Sequence, residues 1–415
     1  MIRLYRILSS VAYGLVFLIG RFKASRGDEL WRDRLALATY NTPVDLWVHA
    51  ASVGEVRVVN CLVTYLLEEK PDLKIHLTVM TRSGCQTART LFGPEVNVSF
   101  LPLDVPKLMK RKLQAIRPRI LVIAETEIWP NLILESSRAG VPIVLVNGRM
   151  SDRAVAQYSL VKQSFRTLLS RYDRIFVKSD ADRDRFRRFL IDESRLTVAG
   201  DMKFDAPLHK RSEERRKQIR KSLGVGPDQF LFVAGSTREG EEALLFEIMG
   251  SINSLTPQVR LVVAPRHVDR AAQIEELARL AGLNARCLGD SEQVKGEQDV
   301  IIVDRMGMLN DLYLASELAF VGGTLVDIGG HNILEPVWAG TPVLFGPSVA
   351  NVADAAQYIR EHNFGMMVNS AEELRARTEE VLSGTTTFAV KTDSKESHSA
   401  TTVTATYLLD KLRNA

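Results

Sequence analysis

The chain has 415 residues, of which 46% are hydrophobic and 25% are charged, and its formal net charge is only +4. A chain of this length and composition can form two or three globular domains, and its small net charge does not suggest a nucleic-acid partner. Its three cysteines are far apart, with neither zinc-binding spacing nor a disulfide pattern, as expected in a reducing compartment: Cys61, Cys85 and Cys287.

The N-terminal segment is uncharged over residues 7–20 (ILSSVAYGLVFLIG) and is flanked by Arg3, Arg6, Arg21, Lys23 and Arg26. This run is shorter than the about 20 residues of a bilayer span. A buried core helix and a signal peptide are alternatives, although no A-x-A-like cleavage site follows. We expect residues 1–24 to form a membrane-anchor helix, spanning or lying on the bilayer, with basic residues facing anionic headgroups on the cytoplasmic face.

After the anchor, short apolar runs alternate with amphipathic segments, and a helix is predicted over residues 55–68. Because the runs are continuously apolar, they predict parallel strands that are covered on both faces. The predicted strands of this first half are residues 45–50, 74–80, 98–103, 120–125, 142–147, 174–179 and 195–200.

A highly charged segment, residues 207–226, interrupts this rhythm, and a solvated helix or linker explains it well. The rhythm then restarts with strands predicted at 230–235, 259–265, 299–304, 318–323 and 341–346.

The alternation predicts an α/β protein with two Rossmann-like, doubly wound domains facing a central cleft. The predicted domains are residues 25–206 and 207–382. Residues 383–415 form a polar linker and a C-terminal helix, which could pack on either domain.

Ligands of such sheets bind at the carboxyl ends of the strands, where three motifs of the first half lie. In HAASVGE, Glu55 falls in the first turn of a helix, where it could complement the helix dipole or act as a general base. In AETEIW, Glu125 and Glu127 follow a strand and should point in different directions, with structural salt bridges as the alternative role. In GDMKFD, Lys203 is either a surface lysine or a cation for a leaving phosphate.

Two motifs of the second half also follow strands. In APRH (264–267), Arg266 suits bidentate phosphate recognition, and an ordinary exposed arginine is an equally good explanation. The stretch DRMGM (304–308) opens a helix whose amides could read a base edge or a phosphate, although a plain connecting turn explains it too.

The most informative pattern is FVGGT (320–324) followed by GGHNILEP (329–336). Glycines let the backbone approach a ligand closely, and Asn332 is a suitable N-cap for a phosphate-binding helix. Glu335 could accept hydrogen bonds from ribose hydroxyls. Glycines, an amide and an acid in this order favour a nucleotide-sugar site. The chain lacks the Walker A, GxGxxG and GxSxG patterns, which weighs against a P-loop enzyme, a dinucleotide oxidoreductase and an α/β-hydrolase.

Together these motifs resemble the 3-deoxy-D-manno-octulosonic acid (Kdo) transferases of lipopolysaccharide synthesis. The resemblance extends from the apolar N-terminus to about residue 382. The matching stretches are WVHAASVGE (47–55), AETEIWPNL (124–132), VNGRMS (146–151), GDMKFD (200–205), APRH (264–267), FVGGT (320–324) and GGHNILEP (329–336).

The resemblance implies a GT-B fold and inverting transfer of Kdo from CMP-Kdo to the lipid A precursor, lipid IVA, at the inner membrane. It implies no metal and no cofactor. It makes Glu55 the general base and Glu125 and Lys203 transition-state stabilisers. The family often has Gly-Glu where this chain has Gly307-Met308, so backbone contact is expected there. The implied CMP site comprises Pro265, Arg266, Met306, Gly307, Met308, Asn332, Ile333, Leu334 and Glu335.

Two alternatives remain at this point: a GT-B enzyme with another nucleotide sugar and lipid acceptor, or a non-catalytic membrane-bound sugar-nucleotide sensor. Basic residues near the anchor and before the AETEIW motif could attract the phosphates of the lipid, although a solvated basic face explains any one of them equally well. They are Arg21, Lys23, Arg26, Arg32, Arg34, Lys107, Lys110, Arg111 and Lys112.

Overall fold

The computed structural model describes residues 1–37, 42–189, 192–205, 213–255, 258–289, 299–390 and 399–414. The chain divides into two compact units, Met1–Leu208 with Lys395–Ala415, and His209–Ser394. The predicted boundary between residues 206 and 207 lies outside the described residues, as do residues 391–398 of the predicted linker.

The first unit contains a seven-stranded parallel sheet in the order β3-β2-β1-β4-β5-β6-β7. Nearly every residue of the strands is buried except in β7, because helices cover both faces of the sheet. All seven predicted strands are present: β1 (Leu46–His49), β2 (Ile75–Val79), β3 (Val96–Phe100), β4 (Ile120–Ala124), β5 (Ile143–Gly148), β6 (Arg174–Val177) and β7 (Leu196–Val198).

The first nine helices belong to this unit, together with a 3-10 turn at Met202–Phe204. The helices are α1 (Ile2–Ser25), α2 (Glu29–Arg34), α3 (Val53–Glu69), α4 (Arg82–Phe92), α5 (Pro106–Ile116), α6 (Pro130–Arg138), α7 (Asp152–Leu160), α8 (Lys162–Leu169) and α9 (Asp180–Arg187).

The second unit contains another seven-stranded parallel sheet, in the order β10-β11-β9-β8-β12-β13-β14. Two strands, β10 and β14, were not predicted: Arg286 interrupts β10, and β14 has only three residues, none of them β-branched or aromatic. The strands are β8 (Phe230–Thr237), β9 (Val259–Pro265), β10 (Ala285–Cys287), β11 (Val300–Ile302), β12 (Leu318–Val321), β13 (Val343–Phe345) and β14 (Gly365–Met367).

Among the described residues, seven helices accompany this sheet, and the last helix returns to the first unit. The seven are α10 (Glu213–Ser222), α11 (Glu241–Leu255), α12 (Ala271–Leu280), α13 (Leu309–Ala315), α14 (Leu334–Trp338), α15 (Ala353–Glu361) and α16 (Ala371–Leu382). The last helix, α17 (Ala400–Arg413), packs against α3 and buries Leu408 and Leu412 in the first core. The Thr401 amide N–H also donates to Asp205 Oδ2 at 2.7 Å.

Each sheet is doubly wound, so each has a topological switch point where the strand order reverses. In the first unit the switch lies between β1 and β4, and in the second it lies between β8 and β12. Ligands of such sheets bind outside the carboxyl ends of the strands at these points. The loops after these strands are therefore the places to look for chemistry.

Candidate functional site

Glu55 follows β1 at the switch point of the first unit, in the first turn of α3. Ser52 is the N-cap of α3, and its Oγ accepts from the Glu55 amide at 3.4 Å. In return, the Glu55 carboxylate accepts from the Ala51 amide at 2.6 Å and from Ser52 Oγ at 3.0 Å. Only 8% of Glu55 is exposed. The predicted turn is confirmed, and reciprocal capping holds the carboxylate in place.

The structure raises the pKa of Glu55 to about 7. Burial is the largest cause, and the negative charges of Glu127 and Glu125 add to it, while hydrogen bonds from Ala51 and Ser52 oppose it. An acid that only complemented a helix dipole would be stabilised in its ionised form. A pKa close to neutrality instead suits a general base.

Glu125 and Glu127, which follow β4, point in different directions, as predicted. Glu125 has a left-handed backbone, with φ of +52°, and its Oε2 forms an ion pair with Arg149 Nε at 3.0 Å. Glu127 Oε2 accepts from Trp129 Nε1 at 2.9 Å, and burial raises the pKa of Glu127. A left-handed glutamate is strained backbone of the kind that clusters at active sites.

Two further polar side chains, neither of them predicted, lie near the ends of β5 and β1, the two strands that pair with β4. Asn147 of β5 has φ of +53°, and its Oδ1 accepts from the Met202 amide at 2.9 Å. Its Nδ2 is buried without a hydrogen-bond partner among the described residues. His49 ends β1, fully buried, and desolvation lowers its pKa to about 4, so its imidazole is neutral.

Lys203 lies in the 3-10 turn Met202–Phe204, which packs against α3, the helix that carries Glu55. The Lys203 amide donates to Asp201 Oδ1 at 3.0 Å, and Asp201 also pairs with Lys178. The side chain of Lys203 is exposed. The structure therefore brings the GDMKFD segment to the helix of the candidate base and leaves its lysine accessible.

In the second unit, five predicted residues line one cavity at the carboxyl ends of β8, β9 and β11: Pro265, Arg266, Met306, Gly307 and Met308. Ser236 and Arg305 line the same cavity and were not predicted. Two segments about 40 residues apart thus meet at one edge of the sheet, as expected for a parallel sheet.

The DRMGM segment opens its backbone to this cavity. Gly307 has φ of +90°, and a β-carbon built on it would meet no atom within 4 Å. Met306 is 70% exposed and offers an apolar surface. A glycine with open space beside it allows the close backbone approach of a ligand.

The glycines of the FVGGT and GGHNILEP motifs have another role. A β-carbon on Gly322 would lie 2.5 Å from Thr237 Cα, and one on Gly329 would lie 2.6 Å from Asn351 Nδ2. A β-carbon on Gly330 would lie 2.8 Å from Val352 Cγ2. The space beside these three glycines is filled by protein atoms, so a close approach of protein to their backbone requires glycine there.

Glu241, which the motifs did not predict, organises the FVGGT loop. This residue is fully buried. Its Oε2 accepts from the amides of Arg238 at 2.9 Å and Gly323 at 2.8 Å, and its Oε1 accepts from those of Thr324 at 3.1 Å and Leu325 at 3.0 Å. One carboxylate thus holds four backbone amides around the switch point. The sequence signal for this residue is an acidic pair, Glu241 and Glu242, in the first turn of α11.

The predicted N-cap at Asn332 is wrong by one residue, because α14 begins at Leu334 with Ile333 as its N-cap. Asn332 Oδ1 still accepts from the Leu334 amide at 3.3 Å, and its Nδ2 donates to Glu335 Oε1 at 3.1 Å. The side chains of Ile333 and Leu334 are buried in the protein, so only their backbone atoms could meet a ligand. With five residues, α14 has little dipole to offer a phosphate.

Basic side chains gather around the cavity. Arg238 donates through Nε to His331 Nε2 at 3.1 Å and through Nη1 to His267 Nε2 at 3.0 Å. Burial and the charges of Arg238, Arg266 and His267 lower the pKa of His331. Burial raises the pKa of Glu335, and Arg266 opposes this rise, which places the Asn332–Glu335 turn within the electrostatic reach of Arg266.

The arginines of this cluster lack strong anionic partners. Within the described ranges, neither Arg238 nor Arg266 forms an ion pair with a carboxylate. Arg305 Nε lies 3.7 Å from Asp304 Oδ1, and the buried Nη2 of Arg305 has no hydrogen-bond partner among the described residues. Guanidinium groups with free donors fit a phosphate ester well. Among all the residues that the structure describes, no group of three or more His, Cys, Asp or Glu side chains is placed to hold a metal ion.

Comparison with known proteins identifies the family. A family profile described as "3-Deoxy-D-manno-octulosonic-acid transferase (kdotransferase)" matches residues 29–206. A 3-deoxy-D-manno-octulosonic acid transferase of Aquifex aeolicus is 32% identical over 351 residues, which cover 85% of this chain and 90% of that protein. The chain belongs to the Kdo transferase family. It is therefore a glycosyltransferase, and the predicted family is confirmed.

Another relative is a longer protein than this chain. A bifunctional glycosyltransferase/methyltransferase of Fusobacterium nucleatum is 35% identical over 334 residues, which cover 79% of this chain but 51% of that protein.

Among solved structures, UDP-GlcNAc 2-epimerase of Neisseria meningitidis bound to UDP-GlcNAc has a TM-score of 0.52 at 11% identity, covering 89% of this chain and 100% of that one. At this identity the likeness shows the fold alone, and the GT-B fold predicted for this Kdo transferase family member is confirmed.

The basic residues expected to attract lipid phosphates do not all face solvent in this Kdo transferase family member. Lys112 is buried, and its Nζ donates to Ser99 Oγ at 3.1 Å and to His76 Nε2 at 2.9 Å. Burial lowers the pKa of Lys112 to about 8. Arg34 is partly buried and donates to the Met80 carbonyl at 2.9 Å. The expectation is wrong for Lys112, because an amphipathic pattern of four cations does not reveal which of them turns inward.

Proposed function

We propose that the protein transfers Kdo from CMP-Kdo to the lipid A precursor, lipid IVA, with inversion at the anomeric carbon and with Glu55 as general base. The observation that carries this proposal is the state of Glu55. It is a buried carboxylate at a switch point whose pKa is raised to about 7. In a member of a sugar transferase family, such a group is suited to accept a hydroxyl proton.

The proposed chemistry is a single displacement. The oxygen of an acceptor hydroxyl attacks the anomeric carbon of Kdo and loses its proton to Glu55. The bond from that carbon to the phosphate oxygen breaks, and CMP leaves with the electron pair. Glu125 stabilises positive charge that develops on the sugar, and Lys203 neutralises negative charge on the leaving phosphate.

The second unit is the proposed donor site. The guanidinium groups of Arg266 and Arg305 at the cavity supply positive charge for the phosphate of the donor. Pro265 and Met306 offer apolar contact to the cytosine ring, and Gly307 allows close backbone approach. The turn Asn332–Glu335 supplies backbone groups and the Glu335 carboxylate for the ribose hydroxyls.

The proposed place of action is the cytoplasmic face of the inner membrane, where the lipid acceptor resides. The support is α1, a helix of 24 residues that is long and apolar enough to cross a membrane. The exposed cations near it, such as Arg21 and Lys23, suit an anionic lipid surface.

The direct test is to incubate the purified protein with CMP-Kdo and lipid IVA in detergent and to determine the masses of the lipid products. We expect lipid products heavier by one or more Kdo units together with released CMP. In competition for the free enzyme, CMP should displace a labelled donor far better than UDP. Preference for UDP would exclude the proposed donor, and CMP binding without any product would favour the sensor alternative.

A further inference from the structure

The N-terminal helix α1 has two faces of opposite character. One face is partly or fully buried against the first unit at residues spaced three or four apart, including Ile2, Arg6, Ser9, Tyr13, Gly20 and Ala24. This spacing places them on one side of the helix along its whole length. The helix thus lies along the surface of the first unit and contacts it from its first turn to its last.

Polar contacts hold the first half of α1. Tyr5 Oη donates to Asp104 Oδ2 at 2.9 Å, and Arg6 Nη1 forms an ion pair with Glu135 Oε1 at 2.7 Å. Both carboxylates are buried, with 9% of Asp104 and 2% of Glu135 exposed. A buried carboxylate that loses its partner is strongly disfavoured, so these contacts resist separation of the helix from the unit.

Apolar packing holds the rest of α1. Tyr13 packs against the small cluster of Ala36, Val105 and Leu108. Gly20 lies so close to Trp31 that a β-carbon on it would be 2.6 Å from Cε3 of the indole. A helix that crossed a bilayer could not keep contacts along its whole length, because the surface of the globular unit would have to enter the hydrocarbon region with it.

The opposite face is an apolar stripe, formed by Leu4, Ile7, Val11, Leu15, Leu18 and Phe22. Each of these side chains is between 56% and 77% exposed. At 3.6 residues per turn they fall within roughly one third of the helix circumference. Contiguous exposed apolar surface of this kind marks an interaction site.

The charges around the stripe indicate what covers it. Residues 1–27 contain five cations and no acidic residue. On the helical wheel, Arg3 and Arg21 fall at one margin of the stripe and Lys23 falls at the other, and all three are exposed. A helix with an apolar face and marginal cations binds in the interface of an anionic bilayer, with its apolar face about 5–10 Å deep.

We propose that α1 lies in the plane of the membrane and docks the first unit on an anionic lipid surface through the apolar stripe, without crossing the bilayer. This inference rests on the membrane attachment in the proposed function. It also links the membrane to the acidic cluster, because Arg6 and Ser9 contact α6, which begins directly after the segment that carries Glu125 and Glu127. The docked helix therefore fixes the orientation of that segment relative to the lipid surface.

The first test is the accessibility of the two ends of α1. Arg3→Cys and Arg26→Cys variants are bound to preformed vesicles of phosphatidylethanolamine and phosphatidylglycerol and exposed to a membrane-impermeant maleimide. The parent chain, with Cys61 and Cys85 buried, gives the background. An in-plane helix exposes both new thiols on the outside. Labelling of Arg26→Cys but not of Arg3→Cys until detergent is added would show a crossing helix and overturn the proposal.

The second test asks whether an added negative charge weakens membrane binding only when it lies in the apolar stripe. Leu15→Glu places a charge in the stripe, and Ser10→Glu places the same charge outside it. We expect Leu15→Glu to lower vesicle binding by about tenfold or more, since the charge must enter the apolar interface, and Ser10→Glu to change it far less. Equal binding of the two variants would overturn the proposal. CMP affinity and thermal unfolding of each variant verify that it is folded.

These outcomes are distinct from failure of the proposed transfer. Transfer to lipid IVA is measured in detergent, where no vesicle is needed. A wild-type chain that transfers Kdo in detergent but does not bind vesicles of either phosphatidylglycerol or phosphatidylcholine would refute the docking proposal alone. Vesicle binding without transfer would refute the catalytic proposal alone.

Discussion

The two units are both doubly wound, with different strand orders, and different charged side chains gather at their switch points. The first gathers the carboxylates of Glu55, Glu125 and Glu127, and the second gathers the guanidinium groups of Arg238 and Arg266. The doubly wound architecture that they share determines where a ligand can bind, and the loops after the strands determine what chemistry occurs there. An acidic edge suits proton removal, and a basic edge suits a phosphate.

The two edges also differ in how they are held. Glu55 receives its hydrogen bonds from Ala51 and Ser52, within its own turn. Glu241 instead binds the amides of Gly323 and Thr324, more than 80 residues away. A site built from one turn is visible in the sequence, whereas a site built by long-range contacts is not.

The largest expected effect is at the acidic edge. Glu55→Gln removes the proposed base while keeping the shape of the side chain, so we expect kcat to fall by about 10²–10⁴-fold. The affinity for CMP, measured by calorimetry, should be unchanged, because CMP is assigned to the other unit. Glu68→Gln, at an exposed position of the same helix, is the control. Wild-type turnover by Glu55→Gln would refute the assignment of the base.

At the basic edge, Arg266→Ala should mainly affect the donor. Loss of a charge-assisted hydrogen bond to the phosphate should raise the KM for CMP-Kdo by about 10–100-fold. Arg279→Ala removes an exposed arginine on α12 of the same unit and serves as the control. An unchanged KM together with a reduced kcat would show that Arg266 does not bind the ground-state donor.

The long-range scaffold of the basic edge is tested by Glu241→Gln. The two carboxylate oxygens of Glu241 accept hydrogen bonds from four amides, whereas glutamine has only one acceptor oxygen. Some of these buried N–H groups therefore lose their acceptor. We expect a loss of about 1–3 kcal/mol in the free energy of unfolding, measured with denaturant. Glu239→Gln, at an exposed position of the preceding turn, is the control. If both variants unfold at the same denaturant concentration, Glu241 does not hold the loop.

The electrostatics of the acidic edge predict the pH dependence of kcat. A base must be ionised to act, so kcat should rise with pH around the pKa of Glu55, about 7, and level off above it. Glu127→Gln removes a negative charge that raises this pKa, so the midpoint should move to lower pH. A midpoint that stays in place or moves upward would show that Glu127 does not act on the base.

The same carboxylate also makes the stability of the folded chain depend on pH. The pKa of Glu55 is raised from 4.5 to about 7 by folding, so the folded chain binds this proton more tightly than the unfolded chain. Its contribution to stability is complete below about pH 4.5 and is lost as the pH rises through about 7. Glu55→Gln should lack this contribution to the pH dependence. Thermal unfolding at pH 5 and pH 8 measures the difference, and identical profiles for both proteins would contradict it.

The local pattern of the sequence determined much of the molecule. Continuous apolar runs predicted all seven strands of the first sheet and five of the second, because a buried parallel strand needs an unbroken apolar run. The turn around Glu55 was also readable, since Ser52 and Glu55 are close neighbours in the chain and form their own cap. The motifs were sufficient to indicate the family.

Tertiary structure alone decided the rest. The pKa of Glu55 depends on the distant charges of Glu125 and Glu127 and on burial, which no window of sequence contains. Lys112 turns inward because its neighbours in space, not in sequence, are His76 and Ser99. The direction of α1 likewise depends on Asp104 and Glu135, more than 90 residues further along the chain. Desolvation and charge pairing act through space, so the packed chain decides which groups they affect.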